Sequence, residues 1–481
     1  MKTGAEYIED IRKIEPCVYI LGEKVKNVVD HPIVRPTLNA TAYTFDIAQD
    51  PKYAGLATAT SSLTGDRVNR FNHLLLSQED LYNRVEFMRV WQNQVAACAV
   101  RCTGSAAING LYASTYDVDK KRGTEYHKRF VEFIKNVQKK DLFVCSGMID
   151  VKGNRSLGPS EQADPDLFLR VVERRKDGVV VRGAKAHQTG AALSHEILVV
   201  PSRVLTEKDK DYAIAFAIPN GTKGLIYIFQ HSLLDSRALV AKDIDLGNTK
   251  YSSSFGGTAL MVFDDVFIPN ERIFLNGEVE SSQTIMRNFA SLARMWEGGC
   301  RPGVMDVLIG AGMAIAEYNG IPKASHVVEK LTEISFLAEA IFGSAVAGCK
   351  YCWVSPAGVH FPDPKLCSVS KLQAIHNFYE ALKLTLDIAG GLAMTMPSER
   401  DFRSPEVGKY VEKYLKGAEP FPTEQRIRMF RLIETLAAGP DSCALHHGGG
   451  PMEAQRITIR QRSITEEKKK LATALIGLDR K

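Results

Sequence analysis

The chain opens without an apolar run behind its first lysine. Met1-Lys2-Thr3-Gly4-Ala5-Glu6 lacks the hydrophobic core of a secretory signal, and a cytoplasmic protein is the expectation. The most apolar stretch, residues 303–318, contains Asp306 and Glu317 and falls short of the roughly 20 residues of a membrane span, so no transmembrane helix is expected. Neither a G-x-G-x-x-G after a strand pattern nor a G-x-x-x-x-G-K-[ST] occurs. A nucleotide cofactor, if bound, has its phosphates held in another way. His446-His447-Gly448-Gly449-Gly450-Pro451 resembles the oxyanion stretch of some esterases, but no G-x-S-x-G accompanies it, which disfavours a hydrolase. Cys349 and Cys352 form a C-x-x-C without a second copy, so packing is favoured over zinc. An excess of one charge is also missing: 61 Lys and Arg stand against 56 Asp and Glu, a net +5. That balance lacks the concentrated basic face of a nucleic-acid binder.

What is present is an ordinary globular composition, 45% hydrophobic and 24% charged over 481 residues. At roughly 100 to 200 residues per domain this is enough for a few structural units with a large core. The first part reads as helical. Thr3 and Glu6 form a capping box, and Ser77 with Asp80 opens a helix running towards Cys102, along which Leu81, Val85, Met88, Val95 and Cys102 recur at helical spacing. From Leu142 the period changes to short β-rich runs at 142–149, 167–172, 178–184, 196–200, 212–218, 225–229 and 260–268. Their spacing predicts a barrel or sandwich. Helical patterns return at 286–296, 304–318, 324–348, 372–389, 424–438 and 465–478. Strand and helix do not alternate, so a Rossmann domain is a poor match.

Nine cysteines in a chain with no export signal point to thiols or metal ligands over disulfides. Cys98 and Cys102, four apart in the helix read from Ser77, would project from one face, either as two ligands of one metal centre or as two small core residues. Cys300 stands between Gly298-Gly299 and Arg301-Pro302-Gly303, a break that would expose its sulfur at a helix end. Arg182-Gly183-Ala184-Lys185-Ala186-His187-Gln188-Thr189-Gly190 closes a β run with many hydrogen-bonding side chains, as a turn or as a binding segment.

Together with Val29-Asp30-His31-Pro32, Asp164-Pro165-Asp166-Leu167-Phe168-Leu169-Arg170, Phe263-Asp264-Asp265-Val266-Phe267-Ile268-Pro269 and Asp387-Ile388-Ala389-Gly390-Gly391, that segment resembles the flavoprotein family of 4-hydroxybutyryl-CoA dehydratase and 4-hydroxyphenylacetate 3-hydroxylase. The dehydratase branch is the nearer. The resemblance implies an α+β, acyl-CoA-dehydrogenase-like fold, with an N-terminal helical domain (1–141), a central β-barrel (142–272) and a C-terminal helical bundle (273–481). It implies FAD held by Asp150, Arg155, His187, Gln188 and Thr189, with Asp387, Gly390 and Gly391 reaching in from a neighbouring subunit of a homotetramer. It also implies a 4Fe-4S cluster on Cys98, Cys102 and Cys300.

The catalytic set departs from the family pattern. The histidine ligand is Ala293, the active-site tyrosine is Glu297, the lysine after the third cysteine is Arg301, and two glutamates are Thr258 and Ala444; the threonine on the flavin side is kept as Thr189. The implied catalytic residues are Glu297, Arg301 and Thr189, acting on an acyl-CoA or related acid by dehydration or double-bond isomerisation. Glu297 could be the base, an oxygen ligand to the cluster, or a helix residue that is solvated or paired with Arg294 or Arg301. Two alternatives stand beside this: a flavin-dependent aromatic monooxygenase, against which three cluster cysteines argue, and a paralogue that has lost dehydratase activity. Neither nucleic acid nor membrane is an expected partner.

Overall fold

Helix starts follow their capping residues. Thr3 and Glu6 close a reciprocal capping box on α1 (Gly4–Lys13). The computed structural model describes residues 1–241, 243–247, 250–251, 257–444 and 448–478, so His446 and His447 lie outside the described residues. Its N-terminal part continues with β1 (Cys17–Ile20), β2 (Glu23–Val25), α2 (Arg35–Asp46), α3 (Ala54–Ala57), β3 (Thr58–Thr60) and β4 (Arg67–Asn69). The longer helices α4 (Gln78–Val95), α5 (Cys102–Arg122) and α6 (Tyr126–Lys139) follow, α4 being capped by Ser77.

Every β-rich run read from the sequence is a strand: β5 (Val144–Gly147), β6 (Arg170–Arg174), β7 (Gly178–Thr189), β8 (Glu196–Val199), β9 (Ile214–Pro219), β10 (Leu225–Phe229) and, beyond α7 (Leu233–Val240), β11 (Thr258–Pro269). With β12 (Ile273–Asn276) they form two sheets and not the closed barrel expected. The larger has six strands in the order β2-β1-β10-β11-β7-β6, the smaller four in the order β12-β9-β8-β5. The reason is an added edge: β1 comes in from the N-terminal part and pairs in parallel with β10, and β2 folds back on it. Val181, Met261 and Phe263 of the larger sheet share one core with Ile197 and Phe216 of the smaller.

The C-terminal part begins with α8 (Ser282–Tyr318) and α9 (Ser325–Lys350), then a hairpin of β13 (Trp353–Val354) and β14 (His360–Phe361), then α10 (Pro364–Ala389). The short helices α11 (Leu392–Thr395), α12 (Glu399–Phe402) and α13 (Gly408–Tyr414) lead to α14 (Thr423–Ala438), α15 (Pro440–Ala444), α16 (Met452–Ser463) and α17 (Glu466–Leu475). α8 and α9 are each long and apolar enough to cross a membrane, and α8 packs along α4, α5, α9 and α10. The sequence reading missed that length in α8 because it broke the helix near Cys300.

The break does not exist. α8 runs for 37 residues straight through Gly298, Gly299 and Pro302, and Cys300 sits mid-helix. The glycines serve contact instead. A Cβ on Gly299 would lie 2.0 Å from the Val85 carbonyl oxygen, one on Gly298 2.3 Å from the Ala345 Cβ, and one on Gly303 2.5 Å from the Arg89 carbonyl oxygen. These close approaches set α4 and α9 directly against the middle of α8. Gly299→Ala is expected to force α4 off α8 and cost about 1–3 kcal/mol, read as a lower urea midpoint. Gly310→Ala in the same helix, where nothing lies within 4 Å of the added Cβ, is the control, expected to be neutral or stabilising.

A second expectation fails at the end of α4. Ala96 takes φ 47° and Val100 φ 52°, so the chain leaves the helix before Cys98, and Cys102 opens α5. The two cysteines therefore do not share a helix face. Buried Arg101 anchors the turn, donating to Thr44 Oγ1 at 3.0 Å and stacking 4.2 Å from the Phe45 ring. Val100 seats against Gly190, where a Cβ would lie 2.8 Å from the Val100 Cβ, so this loop abuts the end of β7.

Candidate functional site

Ala293, Glu297 and Cys300 lie at i, i+4 and i+7 on α8, half-buried on one face, while Leu292, Arg294, Met295, Trp296, Gly298, Gly299 and Arg301 around them are buried. The Glu297 carboxylate pairs with Lys371 of α10, whose side chain is fully buried. Burial pulls the Lys371 ammonium below the usual lysine range, and the Glu297 carboxylate opposes that shift. Of the sequence alternatives for Glu297, a solvated surface position is excluded, and the cation the structure supplies is Lys371, which the sequence reading did not single out. Arg294 instead donates through Nε to the Gly449 carbonyl oxygen at 3.0 Å and through Nη1 to Ser368 Oγ at 3.1 Å. Arg301 is buried with its guanidinium 5.3 Å from the Phe378 ring centre. Gly448 comes so close to the carboxylate that a Cβ there would lie 2.8 Å from Glu297 Oε1. The glycine-rich stretch thus closes over Glu297, a position where a side chain would intrude.

The three expected cluster cysteines are divided between two cores. Cys102 and Cys300, with Ala293, sit half-buried against the core shared by α4, α5 and α8, whereas Cys98 packs against the core of the sheets. Among the described residues no group of three His, Cys, Asp or Glu side chains is poised to hold a metal ion. Each of the three has a polar or charged neighbour. Cys300 Sγ accepts from Gln92 Nε2 at 2.8 Å, Cys98 Sγ accepts from the Val100 N–H at 3.4 Å, and the thiol of Cys102, pushed up by burial, is drawn back by the Arg84 cation. Burial pushes Cys145 and Cys349 up to about 12, the range of inert buried thiols. The three thiols and Ala293 are where the family resemblance puts a cluster, but the described residues do not bring the thiols together as one ligand set.

The flavin residues expected on the β side fall into two groups at the end of β7. Asp150 and Gln188 are engaged within the protein: Asp150 binds Lys185 Nζ at 2.5 Å and accepts from Ser202 Oγ at 2.7 Å, and Gln188 Nε2 donates to the Ile149 carbonyl oxygen at 2.8 Å. They fix the edge from which the others project. His187 is exposed at φ 57°, Arg155 is exposed on the loop after β5, and half-buried Thr189 places its Oγ1 2.9 Å from Thr258 Oγ1. The exposed His187 imidazole and, two residues on, the Thr189–Thr258 hydroxyl pair give this edge hydrogen-bonding groups that a cofactor could use. Asp387 is exposed and paired with Lys330 Nζ at 2.5 Å, and Gly390, at φ 78°, ends α10. At 1.5 Å per residue Asp387 lies about 24 Å along α10 from Lys371. A segment so far along the helix does not reach Glu297 in the same protomer.

The family model described as 4-hydroxyphenylacetate 3-hydroxylase N terminal matches residues 3–275, and its C-terminal counterpart matches residues 282–477. The chain is 43% identical to the 4-hydroxybutyryl-CoA dehydratase/vinylacetyl-CoA-Delta-isomerase of Clostridium aminobutyricum, over 99% of this chain and 100% of that one. It superposes on an oxygen-tolerant archaeal 4-hydroxybutyryl-CoA dehydratase from N. maritimus with a TM-score of 0.96 and 43% identity, covering 100% of this chain and 96% of the other. A variant of HpaB complexed with FAD matches with a TM-score of 0.85 and 25% identity, covering 99% and 98%. With both halves matched end to end on one continuous fold, the chain belongs to the 4-hydroxyphenylacetate 3-hydroxylase family, within which the 4-hydroxybutyryl-CoA dehydratases also fall.

Proposed function

We propose that the chain is a FAD-dependent enzyme of the dehydratase branch, removing water from a hydroxyacyl-CoA thioester or shifting its double bond. The observation that carries the reading is 43% identity over the full length of a 4-hydroxybutyryl-CoA dehydratase, against 25% for the FAD-bound HpaB variant. Arg155, His187 and Thr189 would hold FAD, braced by Asp150 and Gln188, with Asp387, Gly390 and Gly391 contributed by a neighbouring subunit. Cys98, Cys102 and Cys300 would hold a 4Fe-4S cluster. When bound, the flavin supplies a transferable electron and the cluster an electrophile for the leaving hydroxyl.

The chain's own part is proton transfer and positioning. Elimination removes a C–H proton and a hydroxyl as water, and isomerisation moves one proton from carbon to carbon, so both need a base on one face of the substrate. Glu297 is that base. Its partner Lys371 offsets the charge of the carboxylate in a site that water leaves, and residues 448–450 close over it. Arg301, one residue from Cys300, fixes this face against Phe378, and Thr189 orients the flavin side through Thr258. Exposed apolar residues on α9 and beyond α16, among them Phe336, Ile464 and Leu475, support assembly into a homotetramer.

The test is an anaerobic preparation with flavin and iron counted per chain, incubated with 4-hydroxybutyryl-CoA and with vinylacetyl-CoA. Formation of the α,β-unsaturated thioester from either is the expected result. Phenol hydroxylation with reduced flavin and dioxygen, in an iron-free preparation, would instead establish the oxygenase reading. Bound flavin with neither reaction would mean a paralogue without the dehydratase activity.

A further inference from the structure

We infer that α17 is an exchanged arm: the leucine stripe of this C-terminal helix docks in the cleft between α8 and α9 of a second copy of the chain. This rests on the reading of the protein as a homo-oligomer.

α17 has 10 residues, Glu466–Leu475, and none of them is buried. A helix of that length is marginal alone in water and draws its stability in a protein from packing an apolar face. The face is there. Leu471, Leu475 and Leu478 fall at i, i+4 and i+7, and they are 65%, 86% and 57% exposed. Leu478 is folded back towards this stripe by the turn that ends the helix, in which Gly477 takes φ 81° and the Leu478 N–H donates to the Thr473 carbonyl oxygen at 2.9 Å. The helix is not a loose tail. It follows α16, which packs along α10 and is fastened at its start by buried Gln455, whose Nε2 donates to the carbonyl oxygens of Gly449 at 3.2 Å and Gly450 at 3.0 Å. Over its 12 residues α16 rises about 18 Å, so α17 starts from a fixed point at the far end of that helix.

A surface that fits the stripe lies elsewhere on the same chain. Between the end of α8 and the first half of α9 is a cleft of about 580 Å³, lined by Met313, Ala316, Pro322, Val328, Leu331 and Phe336. Met313, Val328 and Phe336 are each half exposed or more, so this apolar lining faces water. α9 is apolar enough to cross a membrane and yet largely uncovered in this chain. Leucines spaced i, i+4 and i+7 are the anchors with which an amphipathic helix enters such a groove. The stripe is about 10 Å long, and the α9 wall of the cleft from Val328 to Phe336 about 12 Å. The edges match in charge. Lys468 and Lys470 stand on the two sides of the stripe, while Glu333 borders the cleft along α9 and Glu317 along α8, and all four are exposed. Pairs of this kind fix register and orientation more than affinity. Because the stripe is open to water within its own chain, it does not fill that chain's cleft, and the occupant is the arm of a second copy. Exchange in both directions buries two stripes in two clefts about a two-fold axis, which closes the assembly.

The experiment measures mass by sedimentation velocity on the full-length protein as purified. It compares wild type with Leu471→Asp plus Leu475→Asp on the arm, Val328→Asp plus Phe336→Asp in the cleft, Lys468→Glu plus Lys470→Glu, Glu317→Lys plus Glu333→Lys, and the last two pairs combined. All of these side chains except the cleft's own lining lie free of packing, and Val328 and Phe336 are themselves exposed, so circular dichroism should match wild type throughout. The expected results are a wild-type multimer, a fall to half its mass or less in both aspartate variants, a dissociation constant raised about tenfold or more by each charge reversal, and its recovery when the two reversals are combined. If the arm variant keeps the wild-type mass the inference is wrong, even where the cleft variant dissociates, because the cleft then meets a different face of the partner. Combined reversals that recover nothing overturn it as well. A wild type that sediments as a monomer makes the homo-oligomer reading fail first and carries this inference with it.

Discussion

Glu297→Gln is expected to abolish turnover of either thioester and to cost about 3–5 kcal/mol of stability, because it removes the counter-charge of a buried ammonium. Lys371 is fully buried on α10, and its ammonium is already pulled down by desolvation, with Glu297 opposing the shift. An amide keeps the shape of the carboxylate and its acceptor oxygen but removes the charge, so the fold must either bury the ammonium without this counter-charge or deprotonate it. The variant that separates chemistry from architecture is Glu297→Gln with Lys371→Met. Replacing both members of a buried pair is far less costly than removing one, so the double variant should regain most of the urea midpoint while turnover stays absent. Flavin content should hold in all three proteins, since the residues proposed to bind FAD lie around the end of β7 and at the far end of α10, with Asp387 about 24 Å along that helix from Lys371. Full activity in Glu297→Gln would remove it as the base. An unchanged midpoint in the single variant would instead show that the pair contributes nothing to the fold.

The helix–sheet–helix order was legible because the apolar period changes from helical to alternating near Leu142 and back after Pro269. Closure of the sheets was not, since it depends on which edges find partners, and β1 pairs with β10 across some 200 residues of chain. The helical spacing of Leu81, Val85, Met88, Val95 and Cys102 continues across a real break: Ala96 turns the chain, and Cys102 falls on the pattern only because it opens the next helix. At Gly298, Gly299 and Pro302 the error ran the other way. Residues that punctuate an isolated helix are here the small surfaces that let two others cross it, and nothing local distinguishes the two uses. Lys371 did leave a signal. Cys367, Ala374 and Phe378 mark the buried face of α10 at helical spacing, and a lysine on that stripe demands a partner. The roles of Ala293 and Cys300 were visible only through family resemblance, because neither burial nor spacing marks an absent ligand.

That absent ligand gives the second large effect. Ala293→His is expected to slow loss of iron to a chelator by on the order of tenfold or more, and to raise elimination from 4-hydroxybutyryl-CoA more than isomerisation of vinylacetyl-CoA. Ala293 lies one turn before Glu297 and two before Cys300 on the same half-buried face, about 6 Å and 10 Å away along the axis. Ala293 is half-buried, so a histidine here extends from the open side of that face. An imidazole nitrogen is a good iron ligand, and it would fill the position that the family resemblance gives to histidine. Elimination should gain more because it needs the hydroxyl polarised as it leaves, whereas isomerisation needs only the proton moved. The comparison also fixes the second possible role of Glu297. If its carboxylate already completes the cluster, Ala293→His competes with it: iron loss stays at the wild-type rate, and Glu297→Gln alone accelerates it. If iron loss slows in Ala293→His and is unchanged in the Glu297→Gln, Lys371→Met double variant, the fourth position is open in this protein and Glu297 acts on the substrate alone.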